Sequence, residues 1–111
     1  MRPATITSSD ASGGTVYSPL LVWDSIQSPF NTSLWTKVTG TATYTIEHTP
    51  DDVFASNFNP ATATWYNHDD AIMVNATANQ KSNLMFPARA SRISQTAGSG
   101  SVQLTGIQGV P

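Results

Sequence analysis

The amino-acid sequence predicts an all-β protein, a single antiparallel β-sandwich or small jelly-roll-like domain. Residues 37–49 alternate apolar and polar side chains, which is the pattern of a half-buried strand. About seven short apolar stretches are separated by turn residues at regular spacing, and none has the period of an amphipathic helix. The length of 111 residues is that of one domain of ordinary size.

The alternating segment 37–49 is predicted to be one continuous strand with one face in the core. Its even positions are mostly apolar, and its odd positions are mainly threonine, which favours the extended backbone. A period of two sends these two sets of side chains to opposite faces of a sheet. The residues predicted to face the core are Val38, Gly40, Ala42, Tyr44 and Ile46.

The predicted domain boundaries are residues 1–15 for a flexible N-terminal arm and residues 16–111 for the β-sandwich. The arm contains a short β-prone piece around Ile6, followed by a serine- and glycine-rich stretch with linker composition. So short a segment buries too little apolar surface to offset the entropy lost on ordering it. We therefore expect the arm to be ordered only against a partner.

Turn residues divide the rest of the chain into short elements. Pro19 lacks an amide hydrogen and is expected at an edge, a bulge or a strand start. A bulge is expected at Gly106, because Ile107 breaks the alternation of the last strand. Residues 24–36 are predicted as a loop covering Phe30, Leu34 and Trp35, 51–55 as one helical turn, and 97–100 as a hairpin turn. Further strands are predicted at 16–23, 62–66, 71–77, 84–95 and 101–108.

Composition excludes several classes of partner. The chain has neither a basic patch nor a basic run, so no nucleic-acid partner is expected, and no segment has the apolar length of a membrane span. Charged residues make up 11% of the chain, against about 25% in a typical soluble domain. So few charges protect a surface poorly against association, and we expect copies of the protein to cover one another in a homo-oligomer. The absence of cysteine fits assembly in a reducing cytoplasm.

Two histidines lie beside acidic residues and form the one candidate metal site. His48 precedes Asp51 and Asp52, and His68 precedes Asp69 and Asp70. If the fold joined them, imidazoles and carboxylates would be suitable ligands for a divalent metal. Both segments lie at predicted strand ends, where aspartate commonly serves turns, so we expect turn or subunit-contact roles, with no metal and no cofactor.

No catalytic set is found in the sequence. There is no Gly-x-Ser-x-Gly elbow, and the two histidines follow no known triad order. Neighbouring carboxylates in an extended chain point apart, which excludes the paired acids of a glycosidase. We therefore predict no catalytic residues and no enzymatic activity.

Large aromatic and basic side chains are the candidate interface residues. The tryptophans and Tyr66 have two interpretations, a stacking platform for sugars or, as in most small β domains, core and subunit contacts. Arg89 and Arg92 are three apart on a predicted strand, so they point to opposite faces. Either one of them points inward or to an interface beside an acid, or both are solvated. The predicted interface set is Ile6, Trp23, Trp35, Trp65, Tyr66, Arg89 and Arg92.

Three pieces of the chain resemble small virion structural proteins of tailed bacteriophages. They are Gly-Thr-Ala-Thr-Tyr-Thr-Ile-Glu-His-Thr at 40–49, Ala-Thr-Trp-Tyr-Asn-His at 63–68, and Phe-Pro-Ala-Arg-Ala-Ser-Arg-Ile at 86–93, followed by Thr-Ala-Gly-Ser-Gly-Ser-Val-Gln-Leu at 96–104. The resemblance covers about 39–108 and implies a β-sandwich that serves as a capsid decoration or cement subunit. Such a subunit binds the major capsid protein and stabilises its lattice, here through the sandwich and the N-terminal arm.

Two alternative functions remain open from the sequence. One is a carbohydrate-binding module, which would be a monomer with an exposed aromatic platform. The other is a minor virion protein associated with the neck, the tail or a fibre. The compact chain without a coiled-coil pattern favours the capsid surface over a fibre shaft.

Overall fold

Two antiparallel β-sheets pack face to face, which confirms the predicted β-sandwich. The computed structural model describes residues 3–24 and 31–108. In these residues the regular elements are short strands and one 3-10 helix, Ala71–Met73, and no helix is long and apolar enough to cross a membrane. The strands are β1 (Ala4–Ser9), β2 (Val16–Tyr17), β3 (Leu21–Val22), β4 (Thr32–Thr39), β5 (Thr43–Thr49), β6 (Tyr66–Asn67), β7 (Lys81–Leu84), β8 (Ala90–Ala97) and β9 (Ser101–Gln108).

The strand order is that of a jelly roll. The first sheet has the order β1-β9-β4-β7, and the second has the order β2-β8-β5-β6, with β3 also paired to β8. Strands β2 and β3 act as one edge strand that is interrupted next to Pro19, as the sequence predicted. The chain alternates between the sheets along most of its length, so two interleaved Greek keys enclose one core.

The segment 37–49 is not one continuous strand. It leaves the first sheet at the end of β4, crosses over at residues 40–42, and enters the second sheet as β5. Gly40 makes the bend possible with a φ of +79°, where other residues are strained. Of the residues predicted to face the core, Ala42, Tyr44 and Ile46 are buried and Val38 is partly buried, whereas Gly40 is exposed at the bend. Thr45, on the predicted polar face, is buried as well. The inner faces of both sheets line the same core. The core-facing residues are therefore even-numbered both before and after the chain crosses from one sheet to the other.

Three sheet-to-sheet connections meet at one end of the sandwich, and we call residues 10–11, 40–42 and 98–100 the crossover cluster. The Gly100 amide donates to the Thr41 carbonyl at 2.8 Å. The Asp10 amide donates to the Gly100 carbonyl at 3.0 Å, and the Ala11 amide to the Gly98 carbonyl at 2.8 Å. The predicted hairpin at 97–100 is therefore wrong, because β8 and β9 lie in different sheets.

The N-terminal segment is a strand of the first sheet, which corrects the prediction of a flexible arm. Strand β1 pairs with β9 over its whole length, from Ala4 opposite Gly106 to Ser9 opposite Ser101. Ile6 is only 8% exposed and belongs to the core. The ordering entropy is offset within the chain, because β9 supplies both a hydrogen-bonded edge and an apolar surface.

Gly106 makes room for an aromatic ring and does not form a bulge. Strand β9 runs in unbroken register with both β1 and β4. At position 106 a Cβ atom would overlap the ring of Trp23. Gly106 thus points into the core at a position where any side chain would collide with Trp23. Ile107, the next residue, faces solvent.

Several predicted element boundaries also change. The predicted loop 24–36 contains the start of β4, with Leu34 buried and Trp35 exposed, while Phe30 lies outside the described residues. Instead of a strand over 71–77 there is the 3-10 helix followed by one bridge between Ala76 and Tyr44. The other changed segments are 51–55, which forms turns without a helix, 62–66, of which only the end becomes β6, and 84–95, which is divided between β7 and β8 around Pro87.

Replacing Gly98 by alanine should destabilise the protein by more than about 2 kcal/mol. Its φ is +95°, and a Cβ atom there would overlap the Thr41 carbonyl. Gly13→Ala is the matched control, because a Cβ at Gly13 meets no atom within 4 Å. Urea denaturation of both variants measures the difference, and equal stabilities would contradict the role of the crossover cluster.

Replacing Ile6 by alanine should lower the free energy of unfolding by about 2–4 kcal/mol, as for other buried aliphatic side chains. Thr7→Ala, on the exposed face of the same strand, should change it by less than about 0.5 kcal/mol. Thermal or urea unfolding of the isolated protein separates the two. Unchanged stability in Ile6→Ala would show that β1 is not part of the folded core.

Candidate functional site

Two of the predicted interface residues belong to the core. Ile6 and Trp23 are 8% and 4% exposed, and both contact the central hydrophobic cluster. The indole N–H of Trp23 donates to the Ser91 hydroxyl at 2.7 Å. These two side chains are therefore not available to a partner of the folded protein, which corrects that part of the prediction.

Arg92 is buried between two aromatic rings. Its guanidinium carbon lies 4.0 Å from the ring centroid of Tyr17 and 4.0 Å from that of Trp65. Its Nε donates to Glu47 Oε1 at 2.8 Å. Of the two alternatives left by the sequence, the pairing with an acid is therefore found, but Arg92 does not point into the core. It lies on the outer face of the second sheet, between the inward-facing Ser91 and Ile93, and is buried there by the two rings. Arg89 forms an exposed ion pair with Asp52 at 3.3 Å.

Residues 50–65, which we call the 50–65 loop, are tied to the second sheet at both ends. The ring of Trp65 contacts buried Arg92, and its indole N–H donates to the Pro60 carbonyl at 2.9 Å. Asp51 accepts a hydrogen bond from the Thr64 amide at 2.8 Å, which closes the loop across its base. The predicted turn role of Asp51 is thus confirmed.

The 50–65 loop presents Phe54 to solvent. The Asp52 carboxylate accepts from the Phe54 amide at 3.0 Å, and the Ala55 amide donates to the Asp52 carbonyl at 3.2 Å. Phe54 itself is 82% exposed, the highest value among the exposed large apolar residues of the described chain. An aromatic side chain held outward on a hydrogen-bonded loop is suited to protein contact. Sequence reasoning missed it, because a lone phenylalanine in a polar stretch does not reveal its exposure.

The two histidines form a buried hydrogen-bonded chain, so the predicted turn or subunit-contact role is wrong for both. His48 Nε2 lies 2.8 Å from His68 Nδ1, and each residue is 4% exposed. His48 Nδ1 lies 2.6 Å from the Ser91 hydroxyl, and His68 Nε2 lies 2.8 Å from the Ser82 hydroxyl. Because Ser91 belongs to the second sheet and Ser82 to the first, the chain connects the sheets across the interior.

The indole of Trp23, at the inner end of this hydrogen-bonded chain, determines which atom donates at each step. Trp23 can only donate, so the Ser91 oxygen accepts from it. Ser91 is fully buried, and its own hydrogen needs an acceptor, which His48 Nδ1 provides. We therefore assign the remaining His48 hydrogen to Nε2, donating to His68 Nδ1. His68 then carries its hydrogen on Nε2 and donates to Ser82.

This direction argues against Ser82 as a nucleophile, and Ser91, which does donate to His48, is fully buried away from any substrate. A general base must accept the hydroxyl hydrogen, but His68 Nε2 presents a hydrogen to Ser82. The hydroxyl hydrogen of Ser82 is then free to act as a donor elsewhere. All four imidazole nitrogens have hydrogen-bond partners, and within residues 3–24 and 31–108 no three histidine or acidic side chains are grouped to hold a metal ion.

Burial keeps the histidines neutral. Loss of hydration, together with a smaller effect of the neighbouring His68, lowers the pKa of His48 from 6.5 to about 3. Burial also lowers the pKa of His68, opposed by the negative charges of Asp70 and Asp69. If both rings carried a second hydrogen, two N–H groups would point at each other between His48 Nε2 and His68 Nδ1, so at least one of the two imidazoles has to be neutral.

Beside the edge strand β7 lies an open cleft of about 560 Å³, which we call the β7 cleft. Trp35, on the outer face of the first sheet, is 46% exposed, and its indole N–H donates to Ser33 at 3.0 Å. The predicted interface residue Tyr66 is 61% exposed and lines a neighbouring smaller cleft. The residues around the β7 cleft are Ser33, Trp35, His68, Asp69, Asp70, Lys81, Ser82, Asn83, Met85 and Phe86.

Comparison with protein-family models and with curated proteins found no match to this chain.

Lowering the pH should unfold the protein through the buried histidines. A lowered folded-state pKa means that the unfolded chain binds protons first, so the stability is complete above pH 6.5 and falls as the pH decreases towards 3. His48 alone should reduce the free energy of unfolding by about 1.4 kcal/mol for each pH unit below its unfolded pKa.

Urea denaturation between about pH 7.5 and about pH 5 measures this slope while most carboxylates stay charged. The His48→Gln variant should be less stable at neutral pH and show a flatter slope. The assignment of a neutral histidine pair would be contradicted by an equal slope in the variant and the unaltered protein.

Proposed function

We propose that the protein is a non-enzymatic virion structural subunit of a tailed bacteriophage, a capsid decoration or cement protein that binds the major capsid lattice. Its resemblance to small phage virion proteins over residues 39–108 supports this, as does the jelly-roll topology, which many viral capsid domains share. A chain with only 11% charged residues suits burial among neighbouring subunits. The protein is assembled into the virion in the host cytoplasm and contacts copies of itself there.

The observation that carries the proposal is Phe54 on the 50–65 loop. Binding costs entropy when a loop must be ordered, and this loop is already ordered by Asp51, Asp52 and Trp65. An outward phenylalanine that meets a pocket on a partner loses little conformational freedom and buries a large apolar area. The N-terminal strand is held in the first sheet by β9, so it does not need a partner to order it.

Reconstitution of particles tests the proposal. Phage particles assembled without this protein are mixed with the purified protein, and the bound copies are counted after sedimentation. We expect saturable binding and a higher temperature of particle disruption. Phe54→Ala should weaken binding at least tenfold, which is about 1.4 kcal/mol or more.

Trp35→Ala is the matched control, because Trp35 is also an exposed aromatic residue but lies on the other sheet. It should bind particles as the unaltered protein does. Absence of binding by the unaltered protein would contradict the structural role, and equal binding by Phe54→Ala would exclude the 50–65 loop as the docking surface. Electron microscopy of labelled particles distinguishes the capsid surface from the neck, tail or fibre.

A further inference from the structure

The β7 cleft combines aromatic surface with several polar groups. Trp35 and Phe86 are each about half exposed and line the cleft. The Trp35 ring is positioned by its hydrogen bond to Ser33, so it presents a face without further ordering. The volume of the β7 cleft, about 560 Å³, lies in the range of small-ligand sites. A fixed aromatic face beside polar side chains suits a ligand with one apolar face and hydroxyl groups around its edge.

The polar groups of the cleft match the hydroxyl groups of a sugar. Exposed Asp69 supplies acceptors, and Asn83 supplies both an acceptor and donors. The buried histidine chain ends in the cleft at Ser82, whose oxygen accepts from His68 and whose hydrogen is left to donate. This donor is held in place by a series of hydrogen bonds that reaches back to Trp23.

Charge in the cleft distinguishes between neutral and acidic sugars. Two carboxylates, of Asp69 and Asp70, face one ammonium group, of Lys81, so the lining is net negative. Sialic and uronic acids would be repelled there, whereas neutral hydroxyl groups donate well to carboxylates.

We propose that the β7 cleft binds a neutral glycan that spans the edge of β7, with one pyranose ring stacked on Trp35 beside Asn83 on the outer face and the hydroxyl groups of a further ring bonded to Ser82 and Asp69. The site is separate from the 50–65 loop: the loop is attached to the second sheet, and the cleft follows β7 of the first. A subunit attached to a particle by Phe54 therefore keeps its cleft available to polysaccharide.

A glycan array tests this with the purified full chain. The probes are neutral oligosaccharides of glucose, galactose, mannose and rhamnose, together with sialylated and uronate-containing glycans of matched size. We expect binding to at least one neutral probe and weaker binding to its acidic counterpart. Titration by tryptophan fluorescence or calorimetry then gives the dissociation constant.

Trp35→Ala and Asp69→Asn should each weaken binding of that probe about tenfold or more. Both residues lie on the surface, so circular dichroism and thermal unfolding should show an intact fold. Phe54→Ala is the control and should bind the probe normally, the reverse of the pattern expected on particles. If the protein binds particles but no glycan, the proposed function is supported and the glycan site is not. If it binds a glycan but no particles, the glycan site is supported and the proposed function is not.

Three results would overturn the proposal. The first is no binding of any neutral probe at millimolar concentration. The second is binding that Trp35→Ala and Asp69→Asn leave unchanged, which would place the sugar elsewhere. The third is a change of oligomeric state in Trp35→Ala without loss of sugar binding, which would assign the cleft to contact between copies of the chain.

Discussion

The hydrogen bonds of the crossover cluster are the constraint on which the rest of the structure depends. Gly98 and Gly100 bring the β8–β9 connection against the Thr41 carbonyl so closely that neither position has room for a Cβ atom. The same glycines accept hydrogen bonds from the β1–β2 connection. Three crossings between sheets are thus joined by backbone groups at one end. Their joining places β9 between β1 and β4 and brings both inner faces onto one core.

The polar interior is the second organising feature, and it is fully paired. Gln95 is completely buried, accepts from Ser8, and donates to the carbonyls of Gly98 and Gly100, so the core is connected to the crossover cluster. The histidine chain connects the sheets elsewhere. No buried side-chain nitrogen or oxygen of the described residues lacks a hydrogen-bond partner. Paired networks of this kind favour one packing arrangement, because any slip leaves a buried polar group unsatisfied.

The sequence predicted the class of the fold and the burial of its most regular segment. Alternation placed Tyr44 and Ile46 in the core correctly, because parity alone determines which face a side chain takes. It did not predict the crossover at Gly40, since an alternating pattern reads the same whether the chain stays in one sheet or changes sheets. The burial of Ile6 depends on the pairing of β1 with β9, almost a hundred residues away in the sequence. A local sequence pattern cannot predict such a pairing.

The candidate sites were harder to predict than the fold, for related reasons. The histidines were recognised as a pair of interest, but their contact arises from the pairing of β5 with β6, where His48 lies opposite Tyr66. Burial then made them a neutral hydrogen-bonded chain where the sequence suggested turn residues. The exposure of Phe54 depends on how a long loop folds back on a sheet. For Arg92 the sequence left two alternatives, solvated or paired with an acid, and its burial explains the pairing with Glu47, because a buried charge requires a partner.

Native-state hydrogen exchange of the Gly100 amide tests the role of the crossover cluster most directly. This amide donates to the Thr41 carbonyl between two connections that would otherwise be ordinary surface loops. If the cluster holds the sheets together, the amide exchanges only through global unfolding, and its opening free energy equals the unfolding free energy from denaturation. Exchange at a much lower opening free energy, as in a mobile loop, would contradict this account.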